Sequence, residues 1–340
     1  MKKLFSCMII IAAFASFSLT GWAQEKESIR YVTGKMGSAT YNLGVAIAHV
    51  IEKNTNLKVF VEPAAGSSAQ AILLSKYEAD IGIIPAGHAY TLRSGSKGFE
   101  KAFPHYVGKA TPIRLLAIGH TLPFGVLMRK DSWVESIFKL KGKKLFGSTP
   151  SSAGFEMGAR GYLEVAGLKY NKDVKILSMS TSTEGVRRVI KGDADGLLTA
   201  YGGAKIREFA ANDGGWYISA PIDPKSIAVY RKYYPAVVGW TAEKDGPCMK
   251  KGTHFFGHPD YFHTTSKFSD ELAYKIIKAV MENLEELRTM NPLLKEWSLQ
   301  KAVRDFTIPF HSGAIKYYKE KGVWGAQQEE LQKDLIPKGP

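Results

Sequence analysis

The chain has 340 residues, of which 45% are hydrophobic and 23% charged, and its formal net charge is +14. This is an ordinary globular composition, with enough length for two domains. After the N-terminus no apolar run reaches the roughly 18 residues that a membrane span needs. The Lys and Arg residues are scattered and show no zinc-finger or basic-zipper spacing, so we expect no nucleic-acid partner.

The first 23 residues have the pattern of a secretory signal peptide. "MKK" is basic, the run from Leu4 to Leu19 is apolar, and the small residues Gly21 and Ala23 precede a cleavage point before Gln24. A membrane anchor is the less favoured alternative because the run is short. Cleavage would leave one cysteine, Cys248, and therefore no intramolecular disulfide. We expect export to the periplasm of a Gram-negative bacterium.

The chain then alternates strands and helices, joined by loops rich in glycine and serine. "SIRYVT" predicts a buried strand, and the apolar residues that follow the loop "TGKMGSATYNLG" recur at helical spacing up to "NTN". "LKVFVE" predicts the next strand, "PAAGSS" a loop, "AQAILLSKYEAD" a helix, and "IGII" a third strand. This order is typical of a βαβαβ unit with a parallel sheet.

The second half repeats the same order. "KKLFGS", "VKILSM" and "GLLTA" predict strands, while "FEMGARGYLEVAG" and "VRRVIKGDAD" predict helices that follow the loops "TPSSAG" and "STSTEG". Gly37 and Gly66 are 29 positions apart, and so are Ser151 and Ser180. Chance alternation in a large α/β chain is the alternative to a true repeat. We predict an α/β fold of two lobes, each a mostly parallel sheet flanked by helices, with a ligand cleft between them.

The boundaries and the remaining elements follow from this repeat. Asp80 and Asp195 stand just before the third strand of each half, where we expect capping or turn roles. Residues 269–290 predict one long amphipathic helix with Ser269 as its N-cap. The predicted units are a signal peptide at 1–23, lobe I at 24–120 and 233–330, lobe II at 121–232, and a C-terminal tail at 331–340.

Motifs for nucleotide binding, catalysis and metal binding do not occur in the sequence. It contains no Gly-x-Gly of a Rossmann fingerprint, no Walker loop and no G-x-S-x-G elbow. No carboxylate pair stands out as an acid–base couple, so we expect no catalytic residues, no enzyme activity and no cofactor. His254, His258 and His263 could suggest a metal, but their spacing matches no standard ligand motif, and we favour aromatic packing there.

The candidate ligand contacts are the polar loops of the two halves. Their hydroxyls, and the free N–H groups at helix starts, can bind a carboxylate or a similar anion. Capping its own helix is the alternative role for each serine, and both roles can coexist. The first-lobe candidates are Gly37, Ser38, Thr40, Tyr41, Gly66, Ser67, Ser68 and His88. The second-lobe candidates are Ser151, Ser152, Ala153, Gly154 and Thr199, with Ser180–Thr183 as a further loop.

These loops resemble those of the TAXI-type solute-binding proteins of TRAP transporters. Thr40 and Tyr41 stand where that family has Thr-Tyr after its glycine-rich start, and "AAGSSAQ" is similar to its Gly-Ser loop. "LKGKKLFGSTPSSAGFE" resembles the family's "LKGK…G-x-P-G-S-G-T-E" loop, although Ser151–Gly154 lacks the usual Thr. "DFTIPFHSGAIKYYKEKG" is close to the C-terminal signature "IP-x-H-x-G-A-x-x-Y-Y". The resemblance runs from about residue 28 to 325.

The resemblance implies a monomeric periplasmic receptor that closes on a small carboxylate such as glutamate, glutamine or 2-oxoglutarate. It would deliver this anionic solute to TRAP membrane permease subunits driven by an ion gradient. We expect closure as a hinge motion near residues 119–124 and 220–235, and we interpret His311, in the C-terminal signature, as structural. The altered Ser151–Gly154 loop means that ligand identity does not carry over. An exported bilobal enzyme and a ligand sensor without a transport role are the alternatives.

Overall fold

The computed structural model describes residues 27–36, 38–94, 112–202, 204–212 and 214–336, which build one mixed ten-stranded sheet flanked by helices. The signal peptide predicted at 1–23 lies outside the described residues, as does Gly37. The strands are β1 (Ser28–Thr33), β2 (Lys58–Pro63), β3 (Ile81–Pro85), β4 (Ile113–Arg129), β5 (Lys144–Ser148), β6 (Lys175–Ser178), β7 (Gly196–Ala200), β8 (Gly215–Ile218), β9 (Val238–Thr241) and β10 (His254–Thr265).

The helices surround this sheet. They are α1 (Ala39–Asn54), α2 (Ser67–Ser75), α3 (Ala86–Ser94), α4 (Ala153–Val165), α5 (Ser182–Ile190), α6 (Ala204–Ala211), α7 (Pro224–Arg231), α8 (Asp270–Glu282), α9 (Leu284–Met290), α10 (Leu299–Ala302), α11 (Ser312–Glu320) and α12 (Ala326–Leu335). Within the part of the chain that the structure describes, none of them is long and apolar enough to cross a membrane.

The predicted repeat is present in the sheet. The unit β1-α1-β2-α2-β3 has the strand order β2-β1-β3, and the unit β5-α4-β6-α5-β7 has the matching order β6-β5-β7, with all these neighbours parallel. Because carboxyl ends of parallel strands meet at one edge of a sheet, each unit gathers its loops and helix starts at a single edge. The predicted α/β fold class is therefore confirmed.

Two aspartates hold the repeat together in the same way. The carboxylate oxygen Oδ2 of Asp80 accepts a hydrogen bond from the Arg30 amide at 2.7 Å, and Asp80 in turn donates its own amide to the Arg30 carbonyl. In the second unit Oδ2 of Asp195 accepts from the Lys144 amide at 2.7 Å, and its amide donates to the Lys144 carbonyl. Each aspartate thus ties the start of the third strand to the first, a contact between strands rather than the predicted capping or turn role.

Strands β4 and β10 connect the two units. The first part of β4 pairs with β10 between Ile113 and Phe124, and its last part pairs with β7 and β8. Strand β10 pairs with β3 through residues 260–263 and with β9 through residues 254–257. Both crossing strands are antiparallel to their neighbours. The stretch predicted as an aromatic strand-and-turn segment is therefore one of the two strands shared by the lobes.

Several predicted helix boundaries were wrong for local reasons. The long helix over 269–290 is divided at Asn283, whose backbone leaves helical geometry (φ −119°) and whose side-chain amide donates to the Ala279 carbonyl at 2.8 Å. The helix predicted over "VRRVIKGDAD" instead begins at Ser182, because Thr181 accepts from the Glu184 amide and caps it earlier. Much of the predicted loop "STSTEG" is therefore the first turn of α5.

Candidate functional site

The loops of the two units meet directly, at what we call the loop junction: Gly66, Ser68, His88, Ser151, Ser152 and Gly154. The Ser68 amide donates to the Ser151 carbonyl at 3.4 Å. A Cβ atom at Gly66 would lie only 2.5 Å from the same carbonyl oxygen, so a side chain there would force the loops apart. Glycine at position 66 is thus required by the close approach of two backbones.

His88 is the side chain that reaches across the loop junction. Its Nε2 lies 3.1 Å from Ser152 Oγ and accepts the Gly154 amide at 3.4 Å. A Cβ at Gly154 would lie 2.9 Å from the imidazole Cε1, so this position also needs glycine. His88 is buried, and burial lowers its pKa to about 4. The ring is therefore neutral at pH 7, and an accepting Nε2 leaves the proton on Nδ1.

In the loop that precedes α1, the polar side chains make their hydrogen bonds within the loop and to the start of α1. Ser38 is the N-cap of α1 and accepts from the Tyr41 amide at 3.2 Å, and its hydroxyl lies 3.1 Å from Thr40 Oγ1. Gly34 lies under these hydroxyls. The capping role considered for Ser38 is therefore present, while Thr40 stands in the first turn of α1, where backbone N–H groups lack helical partners.

The remaining candidates among the described residues make no hydrogen bond across the loop junction. Ser67 begins α2 and Ala153 begins α4, each next in the chain to residues of the loop junction, and Tyr41 is half-buried on α1. Thr199 is buried inside β7, opposite Gly125 of β4, and its hydroxyl donates to the Ala200 carbonyl at 3.4 Å. The structure thus brings six of the thirteen candidates together and leaves Thr199 within the sheet.

Lys205 is a candidate that the sequence analysis missed. It lies in the first turn of α6, directly after β7, at the edge where the second unit gathers its loops. It is half-buried, burial lowers its pKa, and it has no ion-pair partner among the described residues. A cation at a helix start opposes the helix dipole, which favours anions there. The lysine directly after "YGGA" was the signal that could have identified it.

The histidines of β10 belong to the packing between the units. The His258 ring stacks on Phe124 (centroids 4.6 Å apart) and on Tyr234 (3.9 Å), and its Nε2 lies 2.8 Å from the Tyr230 hydroxyl. Burial lowers its pKa to about 3. His263 is likewise buried, and His254 contacts Thr241. In the described part of the chain, no three His, Cys, Asp or Glu residues are placed to hold a metal ion.

His311 also serves the structure rather than the loop junction. It is the N-cap of α11, where its Nδ1 accepts from the Gly313 amide at 3.2 Å. Its backbone amide donates to the Leu115 carbonyl, and its Nε2 lies 2.9 Å from the Phe268 carbonyl. These contacts attach the C-terminal signature to β4.

Two repeated units, two crossing strands and a junction of loops define a bilobal α/β fold. The chain belongs to the NMT1-like family, whose model matches residues 31–322. This family match does not name the TAXI group, to which the loop motifs are similar.

Solved structures share this fold at low sequence identity. One is a putative sulfonate ABC transporter component, the periplasmic sulfonate-binding protein SsuA from Methylobacillus flagellatus KT, with 15% identity, TM-score 0.52, and 92% of this chain and 96% of that chain covered. Another is PhnD1 from Prochlorococcus marinus (MIT 9301) in complex with methylphosphonate, with 10% identity, TM-score 0.53, and 91% and 98% covered.

Proposed function

We propose that the protein is a periplasmic receptor that captures a small carboxylate between its lobes and delivers it to a membrane permease. The main support for this proposal is the loop junction, where loops of both units touch through the Ser68–Ser151 and His88–Ser152 contacts. A solute held at these loops would be in contact with both lobes at once. Solute binding would then stabilise the closed arrangement over an open one. Export and the lobe boundaries given above belong to this proposal.

The chemistry of the loops supports an anionic solute. Neutral N–H groups at the starts of α1, α2, α4 and α5 can bind a carboxylate, as helix N-termini commonly do. Thr40 adds a hydroxyl, and Lys205 adds a half-buried positive charge. An ammonium that is half-buried without an ion-pair partner gains a counter-charge when an anion binds.

Two classes of membrane permease are candidates for the partner of this receptor. The loop motifs favour a TRAP permease driven by an ion gradient, as the resemblance implies. The structurally similar SsuA is described as part of an ABC transporter, which favours an ATP-driven permease as the second candidate. Uptake of radiolabelled solute in cells separates them. An ionophore that collapses ion gradients stops TRAP transport, whereas arsenate, which depletes ATP, stops ABC transport.

A receptor is favoured over an enzyme by the geometry around His88. The Ser152 Oγ to His88 Nε2 distance of 3.1 Å is that of a nucleophile–base pair. However, Nδ1 of His88 has no hydrogen-bond partner among the described residues, so no carboxylate orients the ring. A pKa of about 4 also makes this imidazole a weak base at neutral pH.

Isothermal titration calorimetry of the mature chain tests the receptor. The panel comprises glutamate, glutamine, 2-oxoglutarate and methylphosphonate. We expect at least one carboxylate to bind with a Kd below about 1 mM. Lys205→Met should weaken that binding about tenfold or more, and Lys205→Arg, which keeps the charge, should retain most of it. If no carboxylate binds at millimolar concentration, the carboxylate proposal fails.

A further inference from the structure

A large cavity lies beside the crossing strands, apart from the loop junction. Its volume is about 790 Å³, within the range of roughly 300–1,000 Å³ that small-molecule sites occupy. Its walls come from residues 118–123 of β4, from β9 and residues 243–249, from Tyr201 and Gly202 after β7, and from residues 293–305. None of the residues of the loop junction lines it. The cavity and the loop junction are therefore lined by different residues.

Aromatic side chains form one surface of the cavity. Tyr201 and Trp240 both line it, and both rings pack on Phe255, with centroid distances of 6.3 Å and 5.6 Å. Tyr261 and Met249 extend the apolar surface. Phe255 is fully buried in the hydrophobic core together with Tyr217 and Leu127, so it supports both rings on the side away from the cavity. Such a fixed aromatic surface suits a flat apolar group.

Charged groups of both signs line the same cavity. Lys301, Arg304 and Asp305 lie on the wall formed by α10 and the residues after it. Glu243, Lys244 and Asp245 lie on the wall that follows β9. Lys301 and Glu243 have no ion-pair partner among the described residues, and Arg304 lies 3.9 Å from Asp305, a loose pair. Glu296 also lines the cavity, with one oxygen accepting the Thr121 amide at 3.1 Å.

We propose that this cavity binds an organic zwitterion with an aromatic or similarly bulky apolar body. The apolar body would lie on Tyr201 and Trp240, the anionic end near Lys301 and Arg304, and the cationic end near Glu243. A ligand that carries only a negative charge would be repelled by Glu243 and Glu296. A ligand that carries only a positive charge would be repelled by Lys301 and Arg304. Mixed charge around an aromatic surface therefore selects a molecule that carries both charges.

Three probes with the same ring system test this selectivity. L-Tryptophan carries both charges, indole-3-propanoate lacks the ammonium, and tryptamine lacks the carboxylate. In calorimetry with the mature chain we expect tryptophan to bind at least about tenfold more tightly than either of the other two. Equal or tighter binding of indole-3-propanoate or tryptamine overturns the proposal, and so does the lack of saturable tryptophan binding below about 10 mM.

Variants locate the binding. Trp240→Ala should weaken tryptophan binding about tenfold, because it removes part of the aromatic surface. Trp133→Ala, at an 82% exposed tryptophan that does not line the cavity, is the matched control and should change nothing. Arg304→Gln should weaken the binding of tryptophan more than the binding of tryptamine, because tryptamine has no carboxylate. Circular dichroism checks that each variant is folded, and unchanged affinity in folded Trp240→Ala contradicts the assignment.

The tryptophan and carboxylate titrations can succeed or fail independently of each other. If carboxylates bind and Lys205→Met weakens them while tryptophan does not bind, the receptor stands and the cavity proposal fails. If tryptophan binds as expected while calorimetry detects no binding of the carboxylates, the cavity proposal stands and the carboxylate proposal fails. If saturating carboxylate displaces tryptophan by direct competition, the two share one site and the second site is refuted.

Discussion

Lowering the pH should weaken the fold through His88. Its pKa falls from 6.5 in the unfolded chain to about 4 at the loop junction. Between these values the unfolded chain binds a proton at this position and the folded chain does not, so the stability that is present above pH 6.5 is lost as the pH falls toward 4. At pH 5 the unfolded histidine is almost fully protonated, and the resulting cost is about 2 kcal/mol.

Urea unfolding at pH 7 and pH 5, followed by circular dichroism, measures this cost. His88→Gln keeps an acceptor for the Gly154 amide but cannot be protonated, so it should lose about 2 kcal/mol less than the wild type between the two pH values. His49→Gln is the control because the His49 side chain is 57% exposed, and it should follow the wild type. If His88→Gln shows the same loss as the wild type, the buried neutral imidazole is not the cause.

Four further substitutions test other parts of the structure. Gly66→Ala places a methyl group about 2.5 Å from the Ser151 carbonyl oxygen, so the lobes should stay further apart; X-ray scattering should show a larger radius of gyration than in the wild type, and an equal value argues against the contact. Thr40→Val should weaken carboxylate binding in calorimetry and leave circular dichroism unchanged, whereas undiminished affinity removes this loop from the site. Asp80→Ala and Asp195→Ala should each lower the free energy of unfolding by about 1–3 kcal/mol in urea titrations, since each leaves a strand amide without its acceptor; a loss below about 0.5 kcal/mol in both contradicts this role.

The elements of the repeat could be predicted because their signals are local. β1 and β7 have the predicted bounds, since each is a short apolar run that ends at a loop containing glycine. The equivalence of Asp80 and Asp195 was also visible as spacing. By contrast, the break at Asn283 arises from a side-chain hydrogen bond to its own helix, which the hydrophobic period does not reveal.

The site was less predictable because its contacts are long-range. His88 and Ser152 are 64 positions apart, and their approach depends on how β4 and β10 align the two units. The half-burial of Lys205 and the cavity beside Trp240 result from the same alignment. Loop composition predicted which kinds of group would gather at the strand ends, but not which of them would touch.

The long pairing between β4 and β10 has a consequence for how the chain reaches its fold. Each repeated unit is made of neighbours close in sequence and can assemble early, closed by its own aspartate. The crossing strands join the beginning of β4 to the end of β10, where Ile113 lies opposite Thr265. Because such distant pairing carries a large loop-closure cost, we expect it to form last and to set the refolding rate. The chain would therefore pass through a stage in which both repeated units are formed but β4 and β10 are not yet paired.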